Sequence, residues 1–494
     1  MKVAYKLTLL VRDLPAPYWM TLLLEHLMNQ GIKWEMLAWK GAMPAEKNIP
    51  FHRMHKLLHR IFGHHGEREP FQSYQGYGNL PHAASAEELS SMLEKETPHG
   101  LVNLTGWVLP EVYEANLPCK VWSIPELGWH SWDVDFAYYA WKNAAPYTFS
   151  GLFEHHKKDK RLIAYSISPA GKLSLLNSRQ AYFSMTGLIV RALKKPNPSQ
   201  ALELTFTNSS PETFAALALI QLGVKSLFEK VRNRFLKPRW VLALEHASAL
   251  PQQRKMLFAS KGKEWADPFI LSEKGDFFIF AEEIDQAGKG RIVVIDPAKP
   301  EKSVLLFDFD FHMSYPFVFR VNDDIYMVPE SSANRSLTLY KSIDFPYQWE
   351  KKYDIFNDFA VVDATIIKFG TRWWMFANAK EYASTFNEEL HIFFAEDLNG
   401  PWKPHKQNPA KNDARNTRPA GAMRIVGDKI HRPVQDCSWI YGERMHWMEV
   451  EVLNENEFSE RIISTVEADW AKRVIAAHTI NSDDHFQVLD AYIY

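Results

Sequence analysis

Cysteine is almost absent from this 494-residue chain, which contains only Cys119 and Cys437. Two cysteines so far apart, with no CxxC pair, argue against a disulfide framework and against a cysteine-based zinc site. No stretch approaches about 18 uninterrupted apolar residues, so we expect no transmembrane helix. Residues 1–10 lack the long apolar core and cleavage site of a signal peptide and are predicted to be a first strand. We therefore expect a cytoplasmic protein.

Excess charge of either sign is also lacking. Lys and Arg together number 57 and Asp and Glu 59, so the net charge of −2 gives no reason to expect a nucleic-acid partner. The phosphate-binding loops GxGxxG and GxxxxGK[ST] are missing, and we expect neither a cofactor nor a metal. Residues 52–69 are rich in His, Arg and Lys. A solvated helical face is the preferred interpretation, with contact to an anionic acceptor or a membrane surface as the alternative.

A short pattern recurs about every fifty residues in the C-terminal half. Its clearest copies open at Asp267, Tyr315 and Asp363, which stand 48 residues apart, and looser copies open at Arg418 and His478. Each copy is an apolar strand, a Gly/Asp/Asn turn and a second apolar or aromatic strand, which is a hairpin signal. Hairpins at a fixed period predict an all-β, five-bladed propeller over residues 240–494.

The register of these copies predicts a site. Equivalent positions of successive blades surround the central channel of a propeller, so the five opening residues should converge. Fifteen residues after the first three of them stand Glu282, Glu330 and Asn378. Carboxylates that cluster are costly to desolvate unless they have partners or a chemical task, which favours Asp267 and Asp363 as site residues. The turn aspartates are expected only to shape their turns: Asp276, Asp324 and Asp428.

Residues 1–195 alternate between strand and helix patterns. Predicted strands cover 3–10, 32–37, 100–104 and 119–124, and predicted helices cover 19–28, 85–93 and 110–115. Strand, helix and strand joined by short links form a βαβ unit, which predicts an α/β domain with an open, mainly parallel sheet. Residues 196–239 begin with a proline-rich break and continue with an amphipathic pattern, so we predict a helical connector.

Several motifs carry a resemblance to a known family: Trp265-Ala266-Asp267-Pro268-Phe269, Ser314-Tyr315-Pro316-Phe317, Val362-Asp363-Ala364-Thr365, Arg418-Pro419-Ala420-Gly421 and Gln435-Asp436-Cys437-Ser438. With these motifs, residues 240–494 resemble the propeller module at the N-terminus of plant glucosamine inositolphosphorylceramide transferases, which also occurs in many bacterial proteins. More distantly, they resemble five-bladed propellers of the arabinanase, invertase and levansucrase type. The resemblance implies a carbohydrate-active protein.

The first 195 residues resemble the degenerate formyltransferase-like domain that precedes this propeller in bacterial relatives. The likeness lies in Val102-Asn103-Leu104-Thr105-Gly106 and Val121-Trp122-Ser123. Ser123-Ile124-Pro125-Glu126 stands about where the family has its catalytic His-Pro-Ser segment. Because that segment is absent, we expect no formyl transfer from this domain.

Two carboxyl groups suit glycosyl transfer, one to attack or stabilise an oxocarbenium-like centre and one, protonated, to assist the leaving group. We predict Asp267 as nucleophile or base, Glu330 as general acid, and Asp363 as the residue that orients the sugar and tunes Glu330. The arginines suit a phosphate or carboxylate. Predicted substrate-binding residues are Glu282, Tyr315, Asn378, Arg418, Arg432, Gln435, Asp436 and His478. His312 is expected to be structural.

These features favour a glycosyltransferase that builds a surface polysaccharide, such as a capsule, or a glycolipid. A furanosyl unit such as fructofuranose is one candidate for the transferred sugar. The expected partners are an activated sugar donor and a glycan or glycolipid acceptor, and peripheral membrane contact stays open. The alternatives are a glycoside hydrolase or phosphorylase with the same carboxylates, and a non-catalytic carbohydrate-binding module.

Overall fold

The computed structural model describes most of the chain in thirteen segments. They are residues 5–11, 18–40, 80–105, 109–124, 147–156, 159–169, 186–193, 237–246, 254–300, 302–380, 385–438, 440–470 and 473–494. The chain divides into two compact units, with the boundary between Leu227 and Phe228. The basic segment 52–69 and nearly all of the predicted connector lie outside the described residues.

The first unit contains one mixed sheet. Its strands are β1 (Lys6–Val11), β2 (Lys33–Trp39), β3 (His82–Ala83), β4 (Gly100–Asn103), β5 (Lys120–Ser123), β6 (Tyr147–His156) and β7 (Asp159–Pro169). Its helices are α1 (Tyr18–Asn29), α2 (Ala86–Glu96) and α3 (Pro110–Glu114), followed by a helical segment at 186–193. The strand order is β3-β2-β1-β4-β5-β6-β7. Strands β1 to β5 pair in parallel, as predicted, whereas the unpredicted hairpin β6–β7 is antiparallel.

Local sequence explains the elements of this unit. Helix α2 starts where the Ser85 hydroxyl accepts a hydrogen bond from the Glu88 backbone N–H, and it buries Leu89 and Leu93 one turn apart. Apolar residues fill both faces of the central strands, and each face has its own buried cluster. This is the pattern of a parallel sheet covered on both sides.

The second unit contains the remaining strands. They are β8 (Arg239–His246), β9 (Lys255–Leu257), β10 (Glu264–Glu273), β11 (Asp276–Ile284), β12 (Gly290–Ile295), β13 (Ser303–Phe307), β14 (Ser314–Val321), β15 (Asp324–Ser331), β16 (Ser336–Asp344), β17 (Gln348–Asn357), β18 (Val361–Phe369), β19 (Arg372–Ala379), β20 (Glu389–Ala395), β21 (Lys403–Pro404), β22 (Lys411–Asn412), β23 (Arg424–Val426), β24 (Lys429–Asp436), β25 (Arg444–Leu453), β26 (Phe458–Glu467), β27 (Val474–Ala476), β28 (Ile480–Ser482) and β29 (Phe486–Ile493).

These strands form five sheets, which are the blades of a five-bladed β-propeller, as the repeat predicted. Blade 1 is β10–β13, blade 2 is β14–β17, blade 3 is β18–β22 and blade 4 is β23–β26. Blade 5 is composite, because β27, β28 and β29 from the C-terminus join β8 and β9 from the start of the unit. Strand β29 pairs with β8 from Phe486 opposite His246 to Ile493 opposite Arg239. The two ends of the unit therefore close the ring.

Residues with positive φ form the hairpin turns of the first four blades. The first turn position holds Lys274 (φ 53°), Asn322 (φ 53°), Gly370 (φ 62°) or Gly427 (φ 63°), and Lys274 is followed by Gly275 (φ 91°). Glycine and asparagine adopt this conformation at little cost, which explains their recurrence in these turns. The chain therefore reverses direction at the same place in each copy.

Within the part of the chain that is described, the helices are too short or too polar to cross a bilayer.

We predict that removal of residues 486–494 abolishes cooperative folding of the second unit. The deletion leaves β8 and β28 without their shared neighbour and exposes their backbone groups as sheet edges. Thermal unfolding followed by circular dichroism should lose its sharp transition, and the protein should aggregate. A sharp transition at an unchanged temperature would contradict closure through β29.

Candidate active site in the propeller channel

The opening residues of the first three copies share one unusual backbone feature. Asp267, Tyr315 and Asp363 all have positive φ, at 49°, 44° and 53°. Each lies at a β-bulge where the register with the second strand of its blade shifts. Bulges re-aim side chains, and a positive φ is uncommon for a residue as bulky as tyrosine. The sequence repeat of 48 residues thus encodes a repeated backbone turn beside the channel.

Side chains from all five blades meet at these bulges. We call the following residues the polar ring: Asp267, Glu282, Tyr315, Glu330, Asp363, Arg418, Gln435, His478 and Asp490. Every member is buried or nearly so, and hydrogen bonds run from blade to blade. The backbone N–H of Tyr315 donates to Asp267 at 3.2 Å, and that of Asp363 donates to Glu330 at 3.4 Å.

An imidazolium joins the first and last blades. His478 Nε2 lies 2.8 Å from Asp267 Oδ1, and His478 Nδ1 lies 2.9 Å from Asp490 Oδ2. Burial alone would lower the pKa of His478, but the carboxylates of Asp490 and Asp267 raise it to about 10. Burial would likewise raise the pKa of Asp267, yet His478 and the Thr479 hydroxyl hold that pKa below its usual range. Asp267 is therefore an ionised carboxylate at neutral pH.

Asp490 is the ring member that sequence reasoning missed. Its Oδ1 accepts from the backbone N–H groups of His478 and Thr479, and its Oδ2 accepts from that of Asp267. It lies on the second strand of its copy, where Glu282 and Glu330 lie in theirs. That strand was the signal that could have identified Asp490, but the looser spacing of the fifth copy hid it.

Two carboxyl groups in blades 2 and 3 form a coupled pair. Burial and the charge of Asp363 raise the pKa of Glu330 to about 8, so Glu330 is protonated at pH 7. The Ser332 hydroxyl donates to Glu330 Oε1 at 2.7 Å. Asp363 accepts hydrogen bonds from Arg418 Nε at 2.5 Å and from Gln435 Nε2 at 3.0 Å. Burial also raises the pKa of Asp363, but Arg418 opposes that rise, so we assign the proton of the pair to Glu330.

Tyr315 and Arg418 occupy the centre of the ring. The Tyr315 hydroxyl accepts from the Gly421 backbone N–H at 2.7 Å and contacts the Thr365 hydroxyl at 3.0 Å. Arg418 also donates to Asn387 at 2.8 Å and stacks over Tyr441, with 4.8 Å between guanidinium and ring centroid. Tyr315 therefore ties blades 2, 3 and 4 together, and Arg418 is the cation beside Asp363.

Three residues that the sequence grouped with the site make their contacts elsewhere. Arg432 is 1% exposed and donates to Glu460 of blade 4 and to the carbonyls of Asn416 and Thr417, in the loop before that blade. Asn378 donates to the Phe386 carbonyl, and Asp436 accepts from Ser438 at the end of β24. These contacts organise loops and strands, and none of them is made to a ring residue.

Among the described residues, one group brings three ligand-type atoms close enough to hold an ion: Asp267, His478 and Asp490. Both nitrogens of the His478 imidazolium already pair with these carboxylates, so we assign the group to ring closure. Asp267 is ionised and Glu330 is protonated, so the two together offer the base and the acid that acid–base chemistry requires.

The comparisons with known proteins concern the propeller. Residues 252–489 match the family described as glucosamine inositolphosphorylceramide transferase 1, N-terminal. The chain is 32% identical over 203 residues to glucosamine inositolphosphorylceramide transferase 1 of Oryza sativa subsp. japonica, covering 40% of this chain and 27% of that protein. The Arabidopsis thaliana protein of the same name is also 32% identical, over 40% of this chain and 26% of its own length. The chain thus spans about a quarter of the length of these relatives.

Two solved structures that align with part of the chain are glycoside hydrolases. A thermostable family-43 glycoside hydrolase aligns with a TM-score of 0.30 and 14% identity, covering 41% of this chain and 76% of that one. An exo-β-1,3-galactanase from Clostridium thermocellum aligns with a TM-score of 0.33 and 11% identity, covering 43% and 52%. We draw no functional conclusion from likenesses this distant.

We predict that His478→Gln destabilises the second unit by about 3–5 kcal/mol, the usual cost of removing one partner from a buried ion pair. The pKa of His478 rises from about 6.5 in the unfolded chain to about 10 in the fold. Its stabilising contribution is therefore complete below about pH 6.5 and is lost as pH rises through about 10. Denaturant unfolding between pH 6 and 10 should show a smaller pH dependence in the variant.

His485→Gln is the matched control, because His485 is exposed in the last hairpin turn. A variant at His478 that matched this control in stability and in pH dependence would contradict the closing role of the imidazolium.

Proposed function

We propose that the polar ring is the active site of a glycosyltransferase that acts in the synthesis of a glycolipid or surface polysaccharide. The observation that carries the proposal is the opposite protonation of two ring carboxyls at neutral pH. Asp267 is ionised because His478 and Thr479 stabilise its charge, and Glu330 is protonated because burial and Asp363 destabilise its charge. Glycosyl transfer needs one group of each kind.

The roles follow from the contacts. Glu330 gives its proton to the leaving oxygen, and the negative charge of Asp363 keeps that proton in place until the donor binds. Asp267 supports or attacks the anomeric carbon, where positive charge develops. Arg418, with 13% of its side chain exposed, offers a cation to a phosphate or carboxylate on the substrate. We leave Arg432 out of this group, because four of its hydrogen bonds go to protein acceptors.

The relatives support a transferase, because they are glucosamine inositolphosphorylceramide transferases. A glycolipid acceptor is therefore the first class to test, with polysaccharide acceptors next. A donor of a furanosyl unit such as fructofuranose is a more specific form of the same proposal.

The relation of the first unit to formyltransferases stays a prediction. In that unit the Asn103 side chain donates a hydrogen bond to the Tyr113 hydroxyl and accepts one from the Thr105 backbone N–H.

Hydrolysis is the second candidate, because a water molecule can take the place of the acceptor with the same carboxyls. Incubating the full chain with a panel of sugar nucleotides, with and without glycolipid and glycan acceptors, separates the two. Mass spectrometry should show a new glycoside that forms only when an acceptor is present. Free sugar as the main product at saturating acceptor would favour the hydrolase.

We predict that Asp267→Asn and Glu330→Gln each lower the transfer rate by at least about a hundredfold, the low end for loss of an acid–base group. Both changes are nearly isosteric. Asp363→Asn should lower the transfer rate less than these two changes and more than Asp276→Asn. Asp276 is exposed beside a hairpin turn and serves as the control. Rates are compared on variants whose circular dichroism matches the wild type. Full activity in both Asp267→Asn and Glu330→Gln would remove the ring as the active site.

We also predict that transfer falls as pH rises through about 8, because Glu330 must be protonated to act and its pKa is raised to about 8. A plot of kcat/KM against pH should show this basic limb in the wild type. The residual activity of Glu330→Gln should lack the limb, since an amide does not titrate in this range. A basic limb at the same pH in both proteins would show that a group other than Glu330 causes it.

A further inference from the structure

Glu282 differs from the other ring carboxyls in its hydrogen bonds. Both oxygens of Asp267, Glu330, Asp363 and Asp490 lie within hydrogen-bond distance of protein donors. Glu282 is 5% exposed, and among the described residues its carboxyl has one hydrogen-bonding partner, the imidazole of His312. A buried carboxyl with unused acceptor capacity is expensive to keep unless something else uses it.

His312 holds Glu282 from the outer side. Its Nε2 lies 3.0 Å from Glu282 Oε1, and its Nδ1 accepts from the Gly290 backbone N–H at 3.0 Å. With Nδ1 accepting, the neutral ring carries its proton on Nε2, which faces the carboxyl. A Cβ on Gly290 would lie 2.3 Å from Glu282 Oε1 and 2.5 Å from the Met313 carbonyl oxygen, so this position requires glycine. The sequence thus keeps room for the pair.

The pair is close enough to the two residues assigned above to the donor to be influenced by them. Asp267 raises the pKa of Glu282, and Glu330, when ionised, raises that of His312. Burial raises the pKa of Glu282 to about 7, with Asp267 adding to the rise and His312 opposing it. Glu282 therefore exchanges a proton near neutrality, whereas Asp267 is held ionised by its donors. Of the two, Glu282 is the stronger base.

Aromatic rings continue from His312 along the same loop, which joins the outer strand β13 to the inner strand β14. Phe309 and Phe311 are parallel, with 5.1 Å between ring centroids and 5° between planes. Phe309 is 38% exposed, and the side chain of His312 is 41% exposed. Aromatic faces pack well against the apolar C–H faces of polyhydroxylated rings, and they are common in ligand sites.

We propose that Glu282, positioned by His312, is the base that activates the acceptor, and that the Phe309–Phe311 stack seats the acceptor's sugar or cyclitol ring. This proposal rests on the glycosyltransferase function proposed above. The acceptor oxygen bonds to the anomeric carbon while the bond from that carbon to the leaving oxygen breaks. The acceptor's hydroxyl proton moves to Glu282 Oε2, and the leaving oxygen takes the proton of Glu330. Glu282 then releases that proton to solvent, and Glu330 takes up a proton from solvent before the next turnover.

The test uses Glu282→Gln in the full chain, with the donor and acceptor that the wild type converts. Transfer should fall by about a hundredfold or more, the range expected for a general base. Glu396→Gln is the matched control, because Glu396 is an exposed glutamate of blade 3 with 69% of its side chain accessible. The acidic limb of kcat/KM near pH 7 should disappear in Glu282→Gln and persist in the control.

Sodium azide separates a base from a structural residue, because azide attacks without losing a proton. Glu282→Gln should form glycosyl azide from the same donor at a rate within about tenfold of wild-type transfer, whereas Asp267→Asn should not. Transfer by Glu282→Gln at the wild-type rate would overturn the proposal, as would loss of transfer without rescue by azide. With either outcome, a loss of activity in Glu330→Gln would still support the proposed glycosyltransferase function. A wild type that transfers nothing would instead reject the proposed function.

Phe309→Ala tests the seat of the acceptor. It should raise KM for the acceptor about tenfold while leaving KM for the donor and kcat near wild-type values. Leu305→Ala is the control, since Leu305 is 49% exposed on β13 and lies outside the loop. An unchanged acceptor KM in Phe309→Ala would remove the aromatic seat from the proposal.

Discussion

The buried imidazolium of His478 is the interaction on which the rest of the propeller site depends. It lies between Asp490 of the last blade and Asp267 of the first, at the seam where the ring closes. A carboxylate in so dry a place is unstable without a partner, and two adjacent ones would repel each other. Because one cation lies between them and pairs with both, the contact that closes the fold also keeps Asp267 ionised. Stability and chemistry are therefore coupled at this seam.

Hydrogen-bond donors then decide what each remaining carboxyl can do. Asp363 has Arg418 and Gln435 as donors, whereas Glu330 has one hydroxyl and a long backbone contact. The better-supported group carries the charge, and its charge keeps the proton on Glu330. Glu282 has the fewest donors and so is the carboxyl best able to exchange a proton with a ligand. Identical functional groups thus acquire different roles from their surroundings.

Arginine shows the same dependence on context. Arg418 and Arg432 are fourteen positions apart and were grouped together from the sequence. Arg432 is enclosed within blade 4, where Glu460 and two carbonyls occupy it, and it serves to fasten the loop at 416–417. Arg418 lies in the polar ring, and part of its side chain is accessible. Arg418 can therefore contact a substrate, whereas Arg432 would first have to leave its buried ion pair with Glu460.

The repeat can be recognised in the amino-acid sequence, and it predicts the number of blades and the equivalent positions of Asp267, Tyr315 and Asp363. Such a prediction is possible because hairpin turns and bulges depend on local residue types, and these residue types recur every 48 residues. Only the tertiary structure decided that β8 belongs to the last blade, that Asp490 and His312 join the carboxyl cluster, and which carboxyl holds a proton. Strand pairing across the ends of a chain, burial and the distances between charges all arise between residues remote in sequence, and no local pattern encodes them.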